Sequence, residues 1–407
     1  MKRTLLIIIT ATAFQWVMAT THQIGKDRAY KNIMQVAEMI TPGDTILFDA
    51  GIYHGNQVLQ NIQGTQERPI TIMAVPGNTV IHQGGPCGWI MSDAAYINIQ
   101  NIIFEQQTVN GFNMDDGGSY ETPSHHIIFE GCTFRNINAS GNNDLLKMSG
   151  VDFFEIRNCL FLNGAAGGSG IDMVGCHNGV IKGCRFENMG DNAICAKGGS
   201  QFIRIEGNFF KNCGNRSLNL GGSTGYQFFR PIDAKFEAAD LQVYSNIFIG
   251  SEAPIAYVGS ERVNVVNNTI YMPDMFVVRI LQETVDTNRF IKCGNNVFRN
   301  NIIYYNGGIE SVCNIGTDTA PESFHFSNNL WYNADDAKKS APGYLPVKET
   351  NSIVGKNPLF RDSSTENFTI PKNSPAVGKG GAVKDPSDDY SGNKYLTRRS
   401  IGAYEGN

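Results

Sequence analysis

Charge is scarce in this chain. Asp, Glu, Lys and Arg make up 17% of its 407 residues, against roughly 25% in an ordinary globular protein. The 33 Lys and Arg against 38 Asp and Glu leave a net charge of −5, which argues against nucleic acid or an anionic membrane as the bulk partner, although a polyanion could still bind locally. No Cys-x-x-Cys pair occurs, and the nine cysteines are an odd number in a chain too long to need staples, so a disulfide framework is not the organising device. After the N-terminus no apolar run approaches the roughly 20 residues of a membrane span. The chain is rich in 44 glycines and 24 phenylalanines, the composition of many turns around a large β core.

The N-terminus carries Lys2 and Arg3, then the apolar run from Leu5 to Ile9, then Val17, Met18 and Ala19. That order predicts a signal peptide, residues 1–19, cleaved after Ala19. The product is expected to be periplasmic or secreted, with no membrane insertion. The alternative is an uncleaved anchor, for which the run is short.

A repeat dominates the rest. The segments IIFEGCTF, FEIRNCLF, GVIKGCRF, IRIEGNFF, LQVYSNIF and VNVVNNTI each run a short strand into Cys or Asn. The marked residue falls at Cys132, Cys159, Cys184, Asn208, Asn246, Asn268, Asn301 and Asn329, giving steps of 27, 25, 24, 38, 22, 33 and 28 residues. A step of about 25 residues with short strands and no helix is one coil of a parallel β-helix. Equivalent positions then stack about 4.8 Å apart. A column of inward Asn can link its amides along the stack, and Cys in that column would be a small buried filler.

A second strand in each coil aligns without gaps as DLLKMSG, SGIDMVG, NAICAKG, RSLNLGG and APIAYVG. The inward columns are Leu146, Ile171, Ile194, Leu218, Ile255 and Met148, Met173, Ala196, Leu220, Tyr257, all apolar or aromatic, as one buried face requires. The outward columns carry Lys147, Asp172, Cys195, Asn219, Ala256 and Ser149, Val174, Lys197, Gly221, Val258. The ends need covering, because a solenoid otherwise leaves open strand edges. Ile33, Val36, Ala37 and Ile40 share one helical face, so a short N-terminal helix is expected to cap the first coil. The solenoid is expected over residues 20–334, and residues 335–407 as an irregular segment packed back on it.

GDTILFDAGIYHGNQ followed by GTQERPITIMA resembles the opening coils of secreted right-handed parallel β-helix proteins that act on polysaccharides, notably the chondroitinase B and alginate lyase family. The resemblance implies an all-β, single-stranded, right-handed parallel β-helix of the pectate-lyase type. In the middle, SGIDM, GDNAICAKGG and NRSLNLGGS resemble three successive coils of the polygalacturonase family. There, motifs of the types N-T-D-G-I-D and G-D-D-C-I-A-I-K supply carboxylates, and one of the type G-H-G-L-S-I-G supplies a histidine. This chain has Ser169 at the first Asp, Asn192 at the second Asp of the pair and Arg216 at the histidine; Asp191 keeps its acid.

Glycoside hydrolysis normally needs two carboxyl groups, and the matched positions offer one. The same face offers Lys147, Lys197 and Arg216, with Arg230 following in STGYQFFRP. Cations of this kind suit β-elimination in a uronate polymer, where a base removes the proton beside a neutralised carboxylate and negative charge builds up. A lysine among cations can lose its proton toward neutrality, which makes Lys197 the expected base. In the alginate lyase family a Lys at a strand end is followed one coil later by an Arg; here Gly221 falls at that position, and Arg216 or Arg230 would stand in for the arginine from a different backbone position. The plain alternative for Lys197 is a surface lysine paired with Asp172.

The expected set is therefore Lys197, Arg216 and Asp191 for catalysis, and Lys147, Asp172, Asn219, Tyr226, Phe229 and Arg230 for holding an acidic polysaccharide. Tyr226, Phe228 and Phe229 lie in a coil with about a dozen extra residues, and insertions on solenoids often line the binding face. A hydrolase using Asp191 and Asp172, a C5-epimerase that shares the proton-abstraction step, and a glycan-binding solenoid without catalysis are the rival readings. The partner is expected to be a glycan and the chain a monomer. Asp115 and Asp116 in NMDDGG leave calcium open as a cofactor, against a solvated turn. His125 and His126 are adjacent, so an ordinary strand would point them to opposite sides.

Overall fold

The computed structural model describes residues 18–406, and residues 1–17, which hold the apolar run of the expected leader, lie outside them. Three long parallel sheets of 14, 10 and 12 strands wrap one core, and strands follow one another in turn from sheet to sheet. This is a parallel β-helix. The second-strand alignment is reproduced as Cα pairs: Leu146, Ile171, Ile194, Leu218 and Ile255 neighbour one another in order, and so do Met148, Met173, Ala196, Leu220 and Tyr257. All ten are fully buried.

The Cys and Asn column is inward, as expected. Asn208, Asn246, Asn268, Asn301 and Asn329 form an amide ladder in which each Nδ2 up to Asn301 donates to the next Oδ1, at 3.0 to 3.1 Å. Each ladder residue follows one in the left-handed region, namely Gly131, Asn158, Gly183, Gly207, Ser245, Asn267, Asn300 and Asn328, with φ between 52° and 64°. Gly and Asn tolerate that conformation best, which accounts for the recurring Gly-Cys, Asn-Cys and Asn-Asn pairs. Phe104, Phe134, Phe161, Phe186, Phe210 and Phe248 add a second column of stacked rings 4.6 to 5.3 Å apart. All nine cysteines are buried and free.

The N-terminal cap is not an α-helix. Residues Ile33–Gln35 and Ala37–Met39 form two 3₁₀ turns, and Ile33 and Val36 are fully buried. A spacing of three eclipses them in a 3₁₀ turn, so the same two residues cover the core without the dozen or more residues that a stable helix needs. At the other end Glu349 closes the Asn ladder by accepting from the Asn329 amide side chain at 2.8 Å and from Trp331 Nε1 at 2.7 Å. Further on, Phe368, Ile370, Ala376, Ile401 and Ala403 pack against the outer face of the 12-stranded sheet at Phe209, Ile247, Ile302 and Leu330.

Candidate functional site

The outward face of the ten-stranded sheet forms the floor of the site. Lys147 neighbours Asp172, and Asp172 neighbours Cys195, which neighbours Asn219. Lys197 ends strand Asn192–Lys197, beside Val174. Asp172 is 1% exposed. It hydrogen-bonds Lys147 through Oδ2, and its Oδ1 lies 3.0 Å from Lys197 Nζ.

Burial works against the charge of Asp172, but Lys147 and Lys197 outweigh it and hold its pKa below the usual carboxylate range. Lys197 is the mirror case. Burial opposes its charge, while Cys195, Asp172 and Asp144 raise its pKa well above the ordinary lysine value. The Cys195 thiol is itself pushed up to about 12, chiefly by burial, so at neutral pH the carboxylates hold the proton on Lys197. This corrects the expected depressed lysine. Lys197 does not sit among bare cations; it shares a buried carboxylate with Lys147, and it is a fixed cation in the free protein.

Asp144 was not among the expected residues. It is 1% exposed, its Oδ2 lies 3.6 Å from Lys147 Nζ, and its Oδ1 accepts from the Ser169 amide at 2.8 Å. Burial and the Asp172 charge raise it to about 6 despite Lys147. No motif marks it, since an Asp before a strand usually belongs to a turn.

The loop between strands Arg216–Gly221 and Ala238–Ala239 walls the site, and here several expectations fail. Arg230 is turned inward: Nη1 and Nη2 donate to the two oxygens of Asp152 at 2.7 and 2.9 Å, and Nη1 also donates to the Gly175 carbonyl at 3.0 Å. A guanidinium spent in this way is a strut for the loop and has no face for a substrate carboxylate. Phe229 is fully buried with Ala234 and Phe290, because the loop needs an apolar anchor, and it cannot stack on a sugar. Tyr226 is exposed but leans edge-on against Phe290, at 5.8 Å between centroids. Phe228 is the aromatic of this loop that reaches the cleft. Glu237 is buried and joins the loop ends, accepting from the Gly198 amide at 2.9 Å and from Thr224 Oγ1 at 2.7 Å.

Between floor and wall lies a cavity of about 640 Å³, lined among others by Asp116, Tyr120, Lys147, Lys197, Phe228 and the flank of Arg230. Lys197 also lines a second cavity of about 410 Å³, with Asp191, Arg216 and Asn219. Asn219 is buried, and its Oδ1 accepts from Arg216 Nη1 at 2.9 Å, so it positions the arginine and offers little to a ligand. Asp191 accepts from Asn192 Nδ2 and Asn215 Nδ2, both at 2.8 Å. It precedes the strand that Lys197 ends, six residues away, or about 20 Å of extended chain. The structure thus brings Lys147, Asp172 and Lys197 together and leaves Asp191 at the far end.

Asp115 and Asp116 each hold one oxygen on their own loop, Oδ1 accepting a backbone amide at 3.0 Å, from Gly117 and Gly118, while Asp116 also lines the larger cavity. Among the described residues no group of three or more His, Cys, Asp or Glu converges as a metal site. Asp116 Oδ2 lies over Gly150, where a Cβ would approach it to 2.2 Å. Burial raises the Asp116 pKa, against the pull of Gly118 and Arg230. His125 and His126 do not point apart: His126 has φ 55°, which breaks the alternation, and the two Nδ1 atoms lie 2.9 Å apart.

A family described as "Right handed beta helix region" matches residues 145–338. A pectate lyase, Pel9A, superposes with a TM-score of 0.61 at 15% identity, covering 95% of this chain and 96% of its own. XylC in complex with xylose gives 0.55 at 12% identity, covering 95% and 99%. A lacto-N-biosidase from Eubacterium ramulus gives 0.51 at 12% identity, covering 82% and 66%. No curated protein sequence matches the chain. At these identities the likeness is one of fold, and the fold is the right-handed parallel β-helix.

Proposed function

We propose that this protein is an exported polysaccharide lyase that cleaves uronate-containing glycans by β-elimination. One observation carries the reading: Lys147 and Lys197, on strands two coils apart, line one cleft of about 640 Å³ while the carboxylate that fixes them, Asp172, is buried beneath. Two preorganised cations facing a cleft suit a ligand carboxylate that gains charge density during reaction. The similar structures are a pectate lyase, a lacto-N-biosidase and a protein holding xylose, which supports carbohydrate as the ligand class. Export, expected from the N-terminal run, would place the enzyme where such polymers occur.

In this reading Lys147 and Lys197 neutralise the uronate carboxylate. Asp116, the carboxylate lining the same cavity, takes the proton from the carbon next to it; a raised pKa makes a carboxylate a better base. The electron pair forms a carbon–carbon double bond as the neighbouring carbon–oxygen bond breaks. The departing oxygen leaves as a hydroxyl, with its proton supplied by water in the open cleft. A hydrolase built on Asp191 and Asp172 has less support, because Asp172 is buried between two lysines and Asp191 sits at the other end of the strand.

The test is incubation of purified protein with a panel of uronate polymers while ultraviolet absorbance of the conjugated double bond is followed. Absorbance should rise with wild type and not with Lys147→Gln. Water-derived oxygen in the new reducing end would mean hydrolysis, and glycan binding without cleavage of any polymer would mean a binding module; either overturns the lyase reading.

A further inference from the structure

Beyond Lys197 the floor of the cleft carries two more cations. Arg216 opens strand Arg216–Gly221, and Arg279 lies in strand Phe276–Leu281, two coils further on. Both line the cavity of about 410 Å³ that Lys197 shares. Arg279 continues the outward column of Asn219 and Ala256. Each arginine is braced from the floor: Arg216 Nη1 donates to Asn219 Oδ1 at 2.9 Å, and Arg279 Nε donates to Asn314 Oδ1 at 3.1 Å.

Each also holds one glutamate. Glu283 Oε1 lies 2.6 Å from Arg216 Nη2, and Glu252 Oε1 lies 3.3 Å from Arg279 Nη1. The arginine side chains are 16% and 21% exposed, whereas the glutamates are 33% and 34% exposed. This differs from the lysine pair, whose common carboxylate is buried and cannot be exchanged. At the arginines the cations are fixed in the floor and the carboxylates stand at the rim. Burial and the nearby Arg216 charge lower the Arg279 pKa, the condition of a cation that gains from one more anion.

We infer that Arg216 and Arg279 form a second acidic-sugar subsite, in which carboxylates of the ligand displace Glu283 and Glu252, so that the polymer lies along the solenoid axis. The inference rests on the proposed uronate substrate and names its extent. Lys197 and Arg279 lie three coils apart, roughly 14 Å at the spacing of paired strands. A ligand reaching from one to the other carries carboxylates on more than one sugar. The planar guanidinium fork suits such a carboxylate, and a rim pair in water is weak enough to be exchanged.

The test reads binding, not cleavage. Affinity electrophoresis through gels containing sodium polyuronate compares wild type with Arg279→Gln, Glu252→Gln and Glu283→Gln. The apparent Kd should rise about tenfold for Arg279→Gln and fall for the two glutamate variants, and wild type should lose retardation in gels of the carboxyl-esterified polymer. A glutamate variant that weakens binding as the arginine variant does would make the pairs structural and overturn the inference, as would unchanged retardation of a folded Arg279→Gln. The glutamate variants keep the test decisive if Arg279→Gln does not fold. Arg279-dependent binding without cleavage would remove the lyase reading and leave this subsite standing.

Discussion

Lys147 and Lys197 come from strands separated by one intervening strand, and both meet Asp172 on that middle strand. Burial at 1% exposure opposes the charge of this carboxylate, and two cations from opposite sides outweigh it. The same pairing keeps both ammonium groups charged at the cleft surface.

Asp172→Asn should therefore unfold more easily by about 3 kcal/mol, the order found when one partner of a buried ion pair is removed. The sign with pH follows from the direction of the shift. Asp172 is held below its ordinary value of 3.8, so its contribution is present above that value and is lost as pH falls below it. Denaturant unfolding of wild type and variant should differ at neutral pH and converge in acid. Equal stability at neutral pH would contradict the arrangement.

The amide ladder gives a second prediction. Asn268 Oδ1 accepts from the Asn246 amide and side chain at 2.9 and 3.0 Å, and its Nδ2 donates to the Val243 carbonyl at 3.0 Å. Asn268→Ala strands these fully buried groups. A loss of about 3 kcal/mol is expected, read as a lower denaturant midpoint.

The ladder and the ten-residue core were legible because a solenoid repeats its environment every coil, so one register fixes the facing of every equivalent residue. Lys147, Asp172 and Lys197 were found as neighbours for the same reason. Arg230 and Phe229 were misread because they lie in an insertion, where no repeat fixes side-chain direction: one is clamped on Asp152 and the other is the anchor of the loop. Asp144 and Arg279 were missed because no motif surrounds them: Asp144 precedes its strand, and Arg279 lies in a coil beyond the last of the five aligned strands. The N-terminal cap shows the limit of periodicity, since Ile33 and Val36, three apart, suit an α-helix and a 3₁₀ turn alike.

The clamp supplies a third prediction. Burial opposes the Asp152 charge, but hydrogen bonds from His177 and Arg230 and the Arg230 charge lower it to about 2 from 3.8. A lowered carboxylate stabilises above its ordinary value, and that contribution is lost as pH falls from 3.8 through about 2. Asp152→Asn should free the wall loop at neutral pH, and acid should do the same to wild type. Limited proteolysis near the exposed Tyr226 and Phe228 should cut the variant about tenfold faster, since opening that costs about 1.4 kcal/mol less is ten times more populated. Equal cutting rates would remove the strut role of Arg230.

The last prediction separates the two roles that a lysine can play here. As a base, Lys197 would have to be neutral, and both Lys197→Gln and Lys197→Arg would be inactive, because arginine keeps its proton. As a cation holding the substrate carboxylate, Lys197 is replaced in charge by arginine but not by glutamine. Asp172 keeps Lys197 protonated, so the second pattern is expected. Lys197→Gln should lose about a thousandfold in kcat/KM, the upper range for removing one preorganised donor to developing charge. Lys197→Arg should retain activity within about tenfold to a hundredfold of wild type, the shortfall reflecting a longer side chain beside a buried carboxylate. Asp116→Asn should be as damaging as Lys197→Gln, because it removes the proton acceptor. In wild type the acidic limb of kcat/KM should lie above the ordinary aspartate value, since burial raises Asp116 and only its ionised form accepts a proton. An inactive Lys197→Arg beside an active Asp116→Asn would return the base role to Lys197 and take it from Asp116.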